Sequence, residues 1–353
     1  MAKKPIAEVD KFNSAFEGLD RDKKVAIFTH ITPDPDAIAA SVGLQWFLKK
    51  KYGIFSDIFY AGQISHPQNK TLVNVLSLDL KTAENYDSEK YQKVLIVDCT
   101  EQHLGIQGVN VNVIFDHHRN KIEKNDNEYD LVDIRPVGAT CSLIYDLMLK
   151  YDMMFDVASP TEAERVIATA MIMGIKTDTR DLLSETCTQL DGDAYMFLRD
   201  FADMSKLDSI INYPLPKYLY DLENDAIKEE NCVEINDTYV AYLGVLSANR
   251  RDTLPHIADK MMRMQGVTTS IIFAIVEDDI QGCVRSTDVS LDVDAFVKKI
   301  FGKNAGGKYG AGAGKIPLDF FALTSQNDEI KETISLAVKQ TVIAKIEKEV
   351  NGE

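Results

Sequence analysis

A carboxylate and two imidazoles stand in a row at Asp116-His117-His118, where the apolar, β-branched run of residues 111–115, broken by Asn112, stops. A run of that length reads as a buried strand. In an open α/β sheet, ligands gather beyond the carboxyl ends of the strands. Three other places carry a similar signature. Residues 24–29 read as a short strand that leads into His30-Ile31-Thr32-Pro33-Asp34-Pro35-Asp36, an H-x-x-x-D-x-D spacing. Pro33 and Pro35 fix φ on either side of Asp34, so both carboxylates sit on a stiff loop entering a helix. A proline turn with an aspartate cap would explain Asp36 but neither His30 nor Asp34. The strand candidate 93–97 ends in Asp98, by itself a weak signal, since such an aspartate is more often a turn residue or helix cap. A helix over residues 161–173, opened by a Thr161-to-Glu164 capping box, stops at Gly174 and is followed by Asp178.

Collected, the set is His30, Asp34, Asp36, Asp98, Asp116, His117, His118 and Asp178. Carboxylates packed together without a cation raise one another's pKa, and two divalent cations remove that difficulty. Carboxylates plus imidazoles, with no thiolate, suit Mn²⁺ better than an oxygen-only Mg²⁺ site or a thiolate zinc site. Mg²⁺ and Co²⁺ are the natural substitutes. Two such ions about 3.5–4 Å apart can hold a bridging hydroxide and clamp both oxygens of an in-line phosphoryl displacement. The chemistry on offer is metal-assisted hydrolysis at phosphorus.

A second feature lies toward the C-terminus. Between Asp294 and Asp319 there is no acidic residue, yet Lys298, Lys299, Lys303, Lys308 and Lys315 fall there, in a chain of formal net charge −16. Six glycines from position 302 to 314 would expose backbone N–H groups and permit the positive φ of an anion-holding nest. A flexible solvated loop is the competing reading. The stretch follows a strand carrying Arg285-Ser286, and an arginine fork suits phosphate. The expected substrate-binding residues are therefore Arg285, Ser286, Gly306, Gly307, Lys308 and Gly310, with Tyr309 as an aromatic for stacking a base.

The elements that must position these residues alternate strand with helix, which indicates an α/β fold with a doubly wound, mostly parallel sheet. Further strands are expected over 54–60, 238–246, 267–276 and 281–285, and helices over 67–76, 292–301 and 328–350. The division expected is a catalytic domain over 1–195, a linker with helical pieces over 196–229, and a smaller α/β substrate-binding domain over 230–353. At 353 residues with 45% hydrophobic content the chain can build such cores. No run of 18 apolar residues suggests a membrane span, and the polar residues 1–22 do not read as a secretory signal. Five singly spaced cysteines suit reduced thiols and a cytoplasmic location. The acidic balance argues against long duplex nucleic acid as partner, which needs a basic footprint. Oligomeric state is left open, a homodimer included.

The ordered set His30-x-x-Pro33-Asp34-x-Asp36, Asp98, Asp116-His117-His118 and Gly174-Ile175-x-Thr177-Asp178-Thr179 resembles the four motifs of the DHH phosphoesterase superfamily. The strand with Arg285-Ser286, the helix and the glycine-rich stretch resemble that family's DHH-associated C-terminal domain. The resemblance spans most of the chain, residues 24–320. It implies one Mn²⁺ held by His30, Asp34, Asp98 and Asp178, and another by Asp36, Asp98, His117 and Asp178, so that Asp98 and Asp178 bridge. It also implies that Asp116 orients a histidine, that His118 faces the substrate phosphate or leaving oxygen, and that two lobes clamp the substrate. The activity implied is that of a phosphodiesterase or phosphatase for short oligoribonucleotides, 3′-phosphoadenosine 5′-phosphate, or linear and cyclic dinucleotides. An inorganic pyrophosphatase or exopolyphosphatase is the competing expectation, and a non-catalytic nucleotide-binding protein a third. Two positions depart from the pattern. Lys308 in Ala305-Gly306-Gly307-Lys308 stands where the family often has histidine, and Pro35 where it often has glycine.

Overall fold

The computed structural model describes residues 12–64, 66–118, 128–250, 253–308, 310–323 and 326–352, with the side chains of Asn249 and Lys308 outside the description. The chain divides into two compact units, Met1–Pro214 and Leu215–Glu353.

In the first unit six strands form one sheet: β1 (Lys24–Phe28), β2 (Ser56–Tyr60), β3 (Leu80–Thr82), β4 (Tyr91–Val97), β5 (Val113–Asp116) and β6 (Leu131–Ile134). They lie in the order β3-β2-β1-β4-β5-β6, and every pairing is parallel. The order reverses between β1 and β4, which opens a crevice beyond their carboxyl ends. A parallel sheet is buried on both faces, so its strands read as continuous apolar runs. Alternate residues accordingly face different cores. Val25, Ile27, Leu95, Val97, Val113 and Phe115 face one, and Ala26, Phe28, Val94, Ile96 and Ile114 face the other.

The first of these cores is covered by helices α1 (Pro35–Tyr52), α2 (Pro67–Val75), α3 (Thr140–Lys150), α4 (Glu162–Asp178), α5 (Gln189–Arg199) and α6 (Met204–Ile211). Helix α1 begins with Asp34 as N-cap and Pro35 in its first turn, and ends at Gly53 with φ 71°. Its small residues let it lie deep: a Cβ on Gly43 would stand 2.9 Å from Met171 Sδ of α4. The stretch expected to be a linker is mostly folded onto this unit, because Leu198, Phe201, Leu207 and Ile210 join its core.

The second unit has a sheet of β7 (Cys232–Ile235), β8 (Thr238–Leu246), β9 (Thr269–Val276), β10 (Asp279–Ser286), β11 (Gly306–Lys308) and β12 (Ala311–Pro317). Their order is β11-β12-β10-β9-β8-β7, with β8 and β9 parallel and the other pairs antiparallel. Helices α7 (Lys217–Ala226) and α8 (Thr253–Met261) pack on one face, and α9 (Val293–Phe301) and α10 (Asp328–Asn351) on the other.

The glycine-rich stretch departs from the nest expected of it. Gly306 and Gly307 lie in β11, Gly312 and Gly314 in β12, and of the six glycines only Gly302 and Gly310 have positive φ, 87° and 70°. The physical reason is packing against α9. A Cβ on Gly314 would stand 2.3 Å from Phe301 Cβ, and one on Gly282 of β10 only 2.0 Å from the tip of the same ring. The lysines are also drawn off: Lys298 pairs with Asp294, Lys299 with Glu349 and Lys315 with Asp279. The side chain of Lys308 and the whole of Tyr309 lie outside the described residues.

The packing reading is testable by contrast. Gly314→Ala should lower unfolding stability in urea by about 1–3 kcal/mol, the usual cost of overpacking a core. Gly306→Ala should cost much less, since its Cβ would meet nothing closer than 3.9 Å. Equal losses for the two would contradict the role assigned to the ring of Phe301.

Candidate metal centre

The loop after β1 is pinned from three sides. Ile31 N donates to His103 O at 2.8 Å, Thr32 N to Ala61 O at 3.0 Å, and Asn69 Nδ2 to Pro33 O at 3.0 Å. Asp34 caps α1 by accepting from Ala37 N at 3.0 Å. Asp36, two positions further in, is fully buried and reaches across to the start of α3. Its carboxylate accepts from Thr140 N at 2.6 Å and Cys141 N at 3.0 Å, two of the four N–H groups a helix start leaves without partners. Asp98 follows β4 with φ 61°, a conformation few non-glycine residues adopt. It is held by its own N–H on Phe115 O at 2.7 Å and by the Thr140 hydroxyl, which donates to Oδ1 at 2.8 Å.

Both imidazoles on this side are turned the same way. His30 Nδ1 lies 2.9 Å from Ile31 O, and His117 Nδ1 lies 3.0 Å from Val137 O. A ring that donates Nδ1–H to a carbonyl presents Nε2 as a free lone pair, the arrangement of metal-ligating histidines. Nε2 of His30 is 3.6 Å from Asp98 Oδ2 and 3.8 Å from Asp34 Oδ1. Nε2 of His117 is 3.4 Å from Asp98 Oδ1 and 3.2 Å from Asp178 Oδ2. His118 is held the other way round, with Nδ1 on Asp116 Oδ1 at 2.9 Å and its side chain 38% exposed. All eight residues read from the sequence as one set therefore converge.

One of them arrives by an unexpected route. Asp178 does not follow a strand or a loop but closes the last turn of α4, which runs through Gly174 without a break. A glycine is needed there, since a Cβ would stand 2.8 Å from Cys141 Sγ and 3.0 Å from Asp36 Cα. Thr140 and the carbonyl of Val137 were not among the residues read as functional. The hydroxyl opening a helix beside a glycine was the signal for Thr140; a carbonyl's role leaves no mark in sequence. In the second unit, Arg285 Nε donates to Asp259 Oδ1 at 2.7 Å and Nη1 to Cys283 Sγ at 3.0 Å. Ser286 Oγ lies 2.9 Å from Thr269 Oγ1, and Gly307 N donates to Asp294 Oδ1 at 3.0 Å. Gly310 O accepts from Ser286 N at 2.9 Å.

The electrostatics of the cluster fit a cation. Burial, then the charge of Asp178, pushes Asp36 up to about 7. Burial and the neighbouring charges of Asp36 and Asp34 raise Asp98 well above the carboxylate range. Burial alone would lower His117, but the neighbouring carboxylates of Asp178 and Asp36 outweigh that and bring it to about 9. Asp98 Oδ2 and His117 Nε2 are buried and accept or donate no hydrogen bond. Among the described residues, three groups bring their ligand atoms within 4.8 Å of one another: His30, Asp34, Asp98; Asp36, His117, Asp178; and Asp98, His117, His118. These are the donors of a carboxylate–imidazole metal site, and they fit divalent cations.

Comparison with known proteins adds the following. Residues 24–175 match the model of the DHH family, N-terminal domain. An uncharacterized protein of Methanocaldococcus jannaschii is 32% identical over 345 residues, covering 97% of this chain and 68% of that protein. A "probable manganese-dependent inorganic pyrophosphatase" of Enterococcus faecalis is 28% identical over 186 residues, 52% of this chain and 56% of that one. The chain thus spans little more than half the length of the pyrophosphatase. Among solved structures, an exopolyphosphatase-related protein from Bacteroides fragilis superposes with TM-score 0.70 at 14% identity, covering 98% of this chain and 99% of that one. RecJ from Thermus thermophilus, solved with Mn²⁺, gives TM-score 0.51 at 14% identity, covering 100% of this chain and 56% of that one. At such identities the two structures speak to the fold.

The raised groups predict that cation binding expels protons. With Asp36 near 7 and His117 near 9, the cation-free cluster at neutral pH holds a proton on His117 and about half a proton on Asp36, which must leave for both to act as ligands. Calorimetric titration with Mn²⁺ at pH 7 in buffers of different ionisation heat should show release of about one to two protons per chain. Affinity should fall as pH drops below about 9, where His117 takes up a proton, and more steeply below about 7, where Asp36 does too. Binding without proton release would refute this account of the cluster.

Proposed function

The chain belongs to the DHH phosphoesterase superfamily, and from that premise we propose that it is a Mn²⁺-dependent hydrolase of small nucleotide phosphoesters. The observation that carries this reading is the convergence of four carboxylates and two outward-turned imidazoles in one cluster, beside a separately held third imidazole. His30, Asp34 and Asp98 would hold one ion and Asp36, His117 and Asp178 the other. Asp98 stands between them, with Oδ2 toward His30 and Oδ1 toward His117. Bound there, divalent ions would supply Lewis acidity to a phosphoryl oxygen and acidify an attacking water.

The chain's own residues do the rest. Asp116 fixes Nδ1 of His118, which leaves Nε2 to hand a proton to the leaving oxygen. Thr140 holds the side chains of Asp98 and Asp36 through its hydroxyl and its N–H, so neither swings when substrate arrives. Short oligoribonucleotides, 3′-phosphoadenosine 5′-phosphate and linear or cyclic dinucleotides suit a chain of net charge −16, which repels long polyanions. Arg285 is assigned to a substrate phosphate: among the described residues its Nη2 makes no hydrogen bond while Nε and Nη1 are anchored.

A second reading, inorganic pyrophosphatase, is favoured by the similarity to the Enterococcus faecalis protein. Against it, a bare phosphate chain calls for free lysines, and Lys298, Lys299 and Lys315 are already paired. A panel of pApA, 3′-phosphoadenosine 5′-phosphate, a cyclic dinucleotide and pyrophosphate, assayed with Mn²⁺, separates the two. Hydrolysis of a nucleotide in preference to pyrophosphate, abolished by excess chelator, is expected. Preference for pyrophosphate would favour the second reading, and full turnover in chelator would reject both.

Arg285→Ala should raise KM on the best panel substrate roughly ten- to a hundredfold, the worth of one charged hydrogen bond to phosphate. Metal content should not change, since Arg285 is no ligand. An unchanged KM, or loss of an ion, would remove Arg285 from substrate binding.

A further inference from the structure

Helix α3 begins without a capping side chain of its own, because its N-cap is Ala139. The exposed donors are met from elsewhere by two aspartates. Asp36 takes the N–H groups of Thr140 and Cys141, as described. Asp191, in the first turn of α5 and fully buried, takes the other half of the turn. Its Oδ2 accepts from Gly138 N at 2.9 Å, and its Oδ1 from Ala139 N at 3.2 Å and Ser142 Oγ at 2.6 Å. The same carboxylate accepts from Thr188 N and Thr188 Oγ1, both at 2.7 Å, to close the start of its own helix. The fit is close: a Cβ on Gly138 would lie 2.9 Å from the Asp191 carboxyl carbon and 2.6 Å from Thr179 Cγ2.

The segment that Asp191 grips is the one that orients the cluster. Val137 O holds His117, Thr140 N and Cys141 N hold Asp36, and Thr140 Oγ1 holds Asp98. We propose that Asp191 is a positioning residue for the cation site, touching no ligand but fixing the loop of residues 137–142 through which three ligands are aimed. The inference rests on reading the cluster as a cation site. An acceptor on both oxygens is required, since all five partners donate. An amide at 191 sets a donor against at least one of these donors and frees that side of the loop.

The test is Mn²⁺ affinity, measured calorimetrically on the full chain for the parent, Asp191→Asn and Thr188→Val. Asp191→Asn should weaken binding about 10- to 100-fold, the range usual for partners of metal ligands. Thr188→Val also removes a hydrogen bond from Asp191 but leaves its three bonds to the loop, so it should lower the melting temperature and leave affinity within about twofold. In the cation-free parent the His117 Nδ1 proton, held on Val137 O, should be protected from exchange by NMR, and Asp191→Asn should lose that protection. Should Asp191→Asn not fold, Ser142→Ala removes one loop bond alone and should still weaken Mn²⁺ several-fold. A parent that binds no Mn²⁺ would refute the cation reading itself. A parent that binds, with affinity within twofold in the folded Asp191→Asn or Ser142→Ala variant, would overturn the positioning role alone.

Discussion

Mutual repulsion among carboxylates at one point is the constraint on which the first unit is built. Asp34, Asp36, Asp98 and Asp178 meet at the place where the sheet order reverses, and two of them are fully or almost fully removed from water. Buried like charges either take up protons or need a cation. The fold first answers with dipoles. Backbone N–H groups at the starts of α1 and α3, and one threonine hydroxyl, are aimed at Asp34, Asp36 and Asp98. That is enough to orient the carboxylates but not to neutralise them, as the raised Asp36 and Asp98 show. The remaining imbalance is one that divalent cations would relieve.

The second unit obeys a different rule. Its sheet carries glycines where α9 comes down, and the ring of Phe301 occupies the space that side chains would otherwise fill. Phosphate chemistry and close packing call for the same residue, because both exploit the missing Cβ. Here packing accounts for Gly282, Gly312 and Gly314, while Arg285 keeps its Nη2 without a hydrogen-bond partner among the described residues.

Much of the first unit was legible from local pattern. The strand residues 25–28, 94–97 and 113–115 are apolar because both faces of a parallel sheet are buried, and ligand types clustered directly after them. Asp178 was legible as a ligand type but not as part of a helix, because Gly174 reads locally as a stop and only the closeness of Cys141 and Asp36 explains it. Asp191 was hidden for another reason. Its Thr188-to-Asp191 spacing signals a helix start, but its partners at 138 to 142 lie about fifty residues away. Lys299 and Lys315 appeared free because their partners are also distant, Glu349 fifty residues on and Asp279 on the neighbouring strand, whereas Lys298 pairs with Asp294 one helical turn away. The linker contracted to its prolines for a simple reason: the apolar residues on either side of Pro214 belong to different cores.

The cluster also has a consequence for how the unit comes apart. Its members run from His30 to Asp178, drawn from three separate connections of the sheet and from a helix end. No short stretch of the chain holds more than two or three of them, so an ion meets its full set only after the distant segments have docked. Such contacts form late on the path to the native state. Ligation at a late-forming site acts mainly on the rate of unfolding and hardly on the rate of folding. An occupied cluster would thus serve as a kinetic lock, lengthening the life of the assembled unit without hastening its assembly.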